Sequence, residues 1–299
     1  MIVRPRPSAF ELIGIFRLSV LPKIAPQILS AAAFSLVVTF GDFRYPTLFK
    51  SFSPAPFTLL GIALSIFLGF RNNVSYDRWW EARRQLGSLI GEVRSLGRLT
   101  CSAPGQDRLR REYVIHLTIG YVYALMSHLR GQKLAPEVAI YTRSPLPSVR
   151  NLPDALLRLL AAEYAAMLTE GEFTEQLFRS FDERLTEMAA IQVACERLRS
   201  TPVPFPYTLL LHRTAYAFCL LLPFGLVGTL GFATPLFVAV VAYAFFGLDE
   251  LAGELEEPFG SSLNALPLKA MARTAEISLL EALGQTTPEP LVPEHDVLF

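Results

Sequence analysis

The feature that most constrains the fold is an uncharged stretch, residues 51–70, that is followed at once by Arg71. At a rise of about 1.5 Å per residue, a helix of this length spans about 30 Å, which matches the hydrocarbon core of a bilayer. The stretch therefore predicts a membrane-spanning helix. The composition agrees, because only 18% of the 299 residues are charged, against roughly 25% in soluble domains.

Two stripes of side chains repeat every fourth residue along this helix. One stripe is bulky and apolar and the other is small: Ile62, Ile66 and Phe70, and Gly61, Ser65 and Gly69. The small stripe allows another helix to approach closely. If identical helices pack around an axis through their small faces, the bulky stripe forms stacked apolar rings, which can gate ions by dewetting. The alternative is that the bulky stripe faces lipid.

Other uncharged runs predict three more spans. Residues 24–40 make the first, preceded by a basic segment that is too long for a signal peptide. The run from Thr214 to Leu248 is too long for one crossing and suits two, joined by Gly, Thr and Pro near residues 228–235. Basic residues before the first span and after the second place both flanks, and both termini, in the cytoplasm.

The segment between the second and third spans is polar and helical in pattern. Residues 113–129 are uncharged but short, and they hold two histidines, so we interpret them as a buried core helix rather than a span. Asn151 precedes a predicted helix, and a second long helix follows Phe173.

The predicted organisation has six parts. They are a cytoplasmic N-terminal segment (1–23), transmembrane helices 1 and 2 (24–70, with the pore helix at 57–70), a helical cytoplasmic domain (71–206), transmembrane helices 3 and 4 (207–248), a cytoplasmic helical segment (249–283) and an extended or disordered tail (284–299). The fold class is therefore an all-α membrane protein.

Three motifs in this order resemble the bestrophins, specifically their bacterial homologues. The first is Phe57 to Arg83, with its apolar triplet and the segment Arg78-Trp79-Trp80-Glu81-Ala82-Arg83, and the others are Thr201 to Arg213 and Phe246 to Gly260. The resemblance implies a homopentamer around one axial pore. It also implies that Ile62, Ile66 and Phe70 form the apolar neck of that pore.

Further pore residues follow from position and from the resemblance. Asn72, Asn73 and Ser75 lie about one turn beyond the neck, where uncharged polar groups can replace part of an ion's hydration shell, or they cap neighbouring backbone instead. The family closes its cytoplasmic vestibule with an apolar aperture, and the resemblance offers Phe178 or Phe181 for that role.

No cofactor, metal site or catalytic motif is predicted. The cysteines and histidines lack metal-ligand spacings, and no phosphate loop or nucleophile motif is present. Glu250, Glu254 and Glu257 share one helical face, which favours an arginine-paired or solvated surface over a cation site. Animal bestrophins have a calcium-binding acidic run after Pro-Phe-Gly, whereas this chain has residues 261–264 without acids. Lys plus Arg equals Asp plus Glu, at 27 each, so nucleic acid is not a predicted partner.

The function predicted is passive conduction of monovalent ions by an oligomer in the cell membrane, the inner membrane in a Gram-negative source. The family at large implies chloride, and bacterial relatives imply sodium or potassium, so the ion's sign stays open. A coupled transporter is disfavoured because the spans lack ionisable residues in their interiors. A membrane-anchored scaffold is the third alternative.

Overall fold

The structure, a computed structural model, describes residues 1–5, 8–45, 53–103, 107–142 and 149–298. Within these residues the fold is all-α, with only isolated bridges of β type. The predicted connection between the first two spans falls partly on residues 46–52, outside the described residues. The ten helices of the described chain are α1 (Ala9–Gly14), α2 (Leu21–Arg44), α3 (Ala55–Ser102), α4 (Arg108–Arg130), α5 (Pro136–Thr142), α6 (Leu152–Thr169), α7 (Glu175–Ser200), α8 (Phe205–Leu230), α9 (Thr234–Glu256) and α10 (Leu268–Leu283).

The chain divides into two compact units. The apolar unit comprises residues 5–79 and 202–257, and the polar unit comprises residues 1–4, 80–201 and 258–299. Helix α3 contributes to both, since the division falls after Trp79. Three helical stretches of the described chain are long and apolar enough to cross a membrane, namely Leu21–Arg44, Ala55–Ser102 and Phe205–Glu256.

The apolar unit is built from α2, the first half of α3, α8 and α9. Its core joins Leu64 and Leu68 of α3 to Phe218 of α8 and Phe245 of α9. Phe218 and Phe245 meet edge to face, with ring centroids 5.3 Å apart. Burial of these faces is what holds the helices together in the unit.

A sharp turn separates α8 from α9. Gly231 has a φ of +52°, a conformation that costs little only for glycine. A short 3-10 helix, Gly231–Ala233, follows, and the Thr234 hydroxyl donates a hydrogen bond of 2.7 Å to the carbonyl of Gly231. The run predicted to contain two spans is therefore broken into two helices at the predicted Gly, Thr and Pro segment.

The polar unit is organised around α4. Fourteen of the 23 residues of α4 are buried, and α5, α6, α7 and α10 pack against it. This burial on nearly all sides confirms the interpretation of residues 113–129 as a core helix. Helix α6 begins where the sequence predicts, because the side chain of Asn151 accepts a hydrogen bond of 3.2 Å from the backbone N–H of Asp154.

The last residues are extended and paired with the N-terminal residues. Ile2 and Val297 form an isolated antiparallel bridge. The backbone N–H of Val3 donates to the carbonyl of Asp296 at 2.8 Å. Of the predicted forms of the tail, the extended one is found over the described residues.

Candidate functional site

Helix α3 presents two different faces in the apolar unit. Leu64 and Leu68 are 1% and 0% exposed. Ile62, Ile66 and Phe70 are 54%, 52% and 57% exposed. The apolar triplet is therefore left uncovered by its own chain, while the residues between its members anchor the helix.

The small stripe has two kinds of surroundings. A Cβ added at Gly61 would lie 3.1 Å from the Phe218 ring, whereas one added at Gly69 would meet open space. The hydroxyl of Ser65 donates to the carbonyl of Gly61 at 2.8 Å. At Gly61, then, the closely approaching helix is α8 of the same chain.

An apolar groove of about 550 Å³ lies beside the triplet. Ile62 and Ile66 line one side, and Phe218, Leu222 and Phe237 line the other. The groove belongs wholly to the apolar unit. Its walls suit aliphatic or aromatic side chains or an acyl chain, because they offer little to a charged group.

Two of the three residues predicted for the inner mouth are engaged inside the chain. Ser75 is completely buried, so its hydroxyl does not face a passage. The amide of Asn72 donates to the carbonyls of Leu68 at 2.9 Å and Leu248 at 3.2 Å. It therefore holds α3 against α9, as in the alternative in which these residues bond neighbouring backbone. Ser75 is corrected to a core residue, and the mouth assignment of the half-buried Asn72 stays a prediction. Asn73 is exposed and stays a candidate.

Asp77 is a candidate that the sequence reasoning missed. Helical spacing places it on the stripe that runs through Phe70 and Asn73, two turns beyond Phe70. Its side chain is exposed, and within the described residues it makes no ion pair. Continuing the spacing of three or four residues past Phe70 was the signal that could have identified it.

The aperture candidates differ in burial. Phe181 is 0% exposed, and its ring packs against those of Tyr164 and Phe173, at centroid distances of 4.3 and 5.0 Å. A side chain held in an aromatic stack cannot line a vestibule, so Phe181 is corrected to a core residue. Phe178 is half-buried and stays a candidate.

A buried ion-pair network lies just beyond Phe70, and the sequence analysis did not predict it. The Arg71 side chain is 4% exposed and pairs with the carboxylate of Asp249. Its second Nη lies 3.7 Å from Glu256. Asp249 also contacts the Nδ1 of His212 at 2.7 Å. The network ties α3, α8 and α9 together where the uncharged stretch ends.

The acidic face after α9's apolar run is occupied by a lysine. Lys23 lies 2.9 Å from Glu250 and 2.7 Å from Glu254. Among the described residues, no group of three or more His, Cys, Asp or Glu side chains is arranged to hold a metal ion. In the polar unit, the Arg83 guanidinium lies over the ring of Trp80, 5.4 Å from its centroid, a cation–π contact.

Comparison with known proteins gives the family. The profile described as Bacterial/Fungal Bestrophin protein matches residues 1–281. The chain belongs to the bestrophin family. A bacterial bestrophin homologue from Klebsiella pneumoniae, known from a crystal structure, is 34% identical and has a TM-score of 0.83, covering 88% of this chain and 99% of that one.

Two relatives carry functional names. A protein of Mesorhizobium japonicum is 43% identical over 98% of this chain and 96% of its own length. A protein of Escherichia coli K12 is 39% identical over 99% of this chain and 98% of its own length. Both are named voltage-dependent anion channel-forming proteins.

Proposed function

We propose that this bestrophin conducts anions passively through an oligomeric pore whose neck is formed by Ile62, Ile66 and Phe70. The observation that carries the proposal is the uncovered apolar triplet on a helix whose opposite face is buried. The names of the relatives, anion channel-forming proteins, support the same activity. A ring of such side chains offers an ion no hydration, so conduction is controlled where they converge.

The pore requires several copies of the chain. A few apolar helices per chain are too few to enclose a passage, whereas a closed cyclic assembly places α3 of each subunit around one axis. We propose five subunits, as the family resemblance implies. The open space at Gly69 and the apolar groove beside Ile62 and Ile66 offer surfaces for a neighbouring helix.

We propose a topology in which α2, the first part of α3, α8 and α9 cross the cell membrane and both termini are cytoplasmic. Basic residues flank the uncharged runs on the proposed inner side. The polar unit is then cytoplasmic, with Asn73 at the inner mouth and Phe178 at the aperture.

A monovalent cation channel is the second candidate, and a specific residue favours it. Asp77 projects from the stripe that carries the neck, and acidic rings attract cations. A coupled transporter or a membrane-anchored scaffold would show no passive current.

The experiment is a reversal-potential measurement on the purified oligomer in a planar bilayer with a gradient of potassium chloride. A passive current that reverses toward the chloride equilibrium potential supports the anion channel. Reversal toward the potassium equilibrium potential would favour the cation channel. The absence of any passive current from assembled protein would contradict both.

A further inference from the structure

A cavity of about 270 Å³ opens in the polar unit, and none of the residues discussed for the pore lines it. It lies between the C-terminal end of α4, the segment that leads into α5, and the start of α10. Its walls include the apolar side chains of Met126 and Leu268 and three basic side chains, Arg130, Lys133 and Lys269. Glu137 is the acidic residue among its lining residues.

The guanidinium of Arg130 uses only some of its hydrogen-bond donors within the described residues. One Nη donates to the carbonyl oxygen of Leu266 at 2.9 Å. The Nε–H is buried and has no acceptor among the described residues. Burial lowers the pKa of Arg130, and no carboxylate of the described chain pairs with it. Arg130 nevertheless lines the cavity, so the charge of its guanidinium can stabilise an anionic ligand there through charge-assisted hydrogen bonds.

The two hydroxyl groups of the wall, those of Ser127 and Tyr123, are already engaged. The hydroxyl of Ser127 accepts from the backbone N–H of Ala135 at 3.1 Å. The hydroxyl of Tyr123 donates to Glu276 at 2.6 Å. Lys133 and Lys269 are exposed and make no ion pair within the described residues. The donors left for a ligand are therefore the cationic side chains and the exposed amide of Gln132.

We propose that this cavity binds a small organic anion. Its carboxylate or phosphate group would accept hydrogen bonds from Arg130, with Lys133 and Lys269 at the rim, and its apolar body would lie against Met126 and Leu268. The volume, just below the roughly 300–1,000 Å³ of drug-sized sites, limits the ligand to a few heavy atoms beyond the anionic group. A free metabolite and a lipid headgroup share this chemistry.

The experiment measures ligand-dependent thermal stabilisation of the purified full-length protein in neutral detergent. The probes are butyrate and inorganic phosphate, titrated at constant ionic strength against chloride, and phosphatidylglycerol in mixed micelles as the lipid arm. Saturable stabilisation by a soluble probe supports a free anion as the ligand. Stabilisation by phosphatidylglycerol alone, lost on substitution of Arg130, supports a headgroup.

Three variants decide the assignment. Arg130→Gln should raise the apparent dissociation constant by about tenfold or more, because a charge-assisted hydrogen bond is lost. The double variant Lys133→Gln/Lys269→Gln changes only exposed side chains and should weaken binding severalfold even if Arg130→Gln fails to fold. Arg108→Gln, an exposed arginine at the opposite end of α4, is the matched control and should bind as the unmodified protein does.

Two results would overturn the proposal. One is saturable binding that is unchanged in both the Arg130 variant and the lysine double variant. The other is the absence of stabilisation by all three probes. Neither result bears on ion conduction, so the pore assignment stands or fails separately.

Discussion

At the scale of the residue, the account depends on three side chains that are about half exposed in the single chain. Ile62, Ile66 and Phe70 leave about half of their surface uncovered within their own subunit. Truncating them should therefore cost less folding free energy than truncating a core residue, whereas it should widen any passage that they line. Function and stability can thus be separated at these positions.

The triple variant Ile62→Ala/Ile66→Ala/Phe70→Ala should raise single-channel conductance or open probability severalfold. Smaller side chains leave room for water at the neck, so the dewetting barrier falls. Planar bilayer recordings check this. Phe67→Ala is the control, since Phe67 is 50% exposed but is turned by about 100° from Ile66 on the helix. Unchanged currents from an assembled triple variant would count against the neck.

Asp77→Asn should shift ion selectivity toward anions. Removing an exposed carboxylate from the stripe of each subunit weakens the attraction for cations near the neck. The reversal potential in a potassium chloride gradient should move toward the chloride equilibrium potential, and more so at low ionic strength. Asp107→Asn, an exposed change at the start of α4, is the control and should leave the reversal potential unchanged. If Asp77→Asn also leaves the reversal potential unchanged, Asp77 does not lie on the ion pathway.

At the scale of the element, α3 is held by two devices, one electrostatic and one steric. The first is the buried pairing of Arg71 with Asp249 and Glu256. The second is the seating of Phe57 against Gly225 of α8. Both devices fix which face of α3 turns away from the rest of the chain.

Arg71→Gln should destabilise the protein by about 3–5 kcal/mol, because it leaves two carboxylates without their cation in a buried place. Thermal unfolding in detergent, followed by size-exclusion of the heated sample, measures the loss. Arg84→Gln, an exposed change on the same helix, should have little effect. Equal stability of the two variants would mean that the network does not hold the helices.

Gly225→Ala should lower the unfolding temperature, because the added Cβ would lie 2.4 Å from the ring of Phe57 and within 2.9 Å of two more of its atoms. Such overpacking costs about 1–3 kcal/mol. Gly228→Ala on the same helix meets nothing within 4 Å and is the matched control. If both variants unfold at the same temperature, the Phe57 side chain can move aside without a cost in folding free energy.

The elements themselves were largely predictable from the sequence. Uncharged length identifies α2, the first part of α3, α8 and α9, and the polar residues within 113–129 identify α4 as a core helix. The roles of Ser75 and Phe181 were not predictable, because spacing along a helix gives the face but not what covers it. Ser75 is covered within its own chain, and Phe181 by rings from α6 and the segment before α7.

At the scale of the whole molecule, the limits of the compact units differ from the predicted domain limits. The predicted divisions come at residues 70, 206 and 248, whereas the compact units divide after residues 79, 201 and 257. The physical reason is that Arg71 pairs with both Asp249 and Glu256. Charge marks the end of an apolar run, but pairing keeps the charged ends in the apolar unit.

The native cysteines should not interfere with a test in which an introduced cysteine is probed with thiol reagents. Cys195 is buried and its pKa is raised to about 12, and burial also raises the pKa of Cys101. Cys219 is buried in the apolar core. Since the thiolate is the reactive form, the unmodified protein should react slowly with charged thiol reagents near neutral pH.

The most direct test of the neck is therefore Ile66→Cys, reconstituted in liposomes and treated with a negatively charged methanethiosulfonate during an ion-flux assay. We predict rapid modification and a large loss of flux, because a thiol in a shared aqueous passage ionises and its adduct obstructs the narrowest part. Phe67→Cys, on a neighbouring face, should keep its flux. Ile66→Cys that stays unmodified and fully conducting would place this face against lipid and contradict the account.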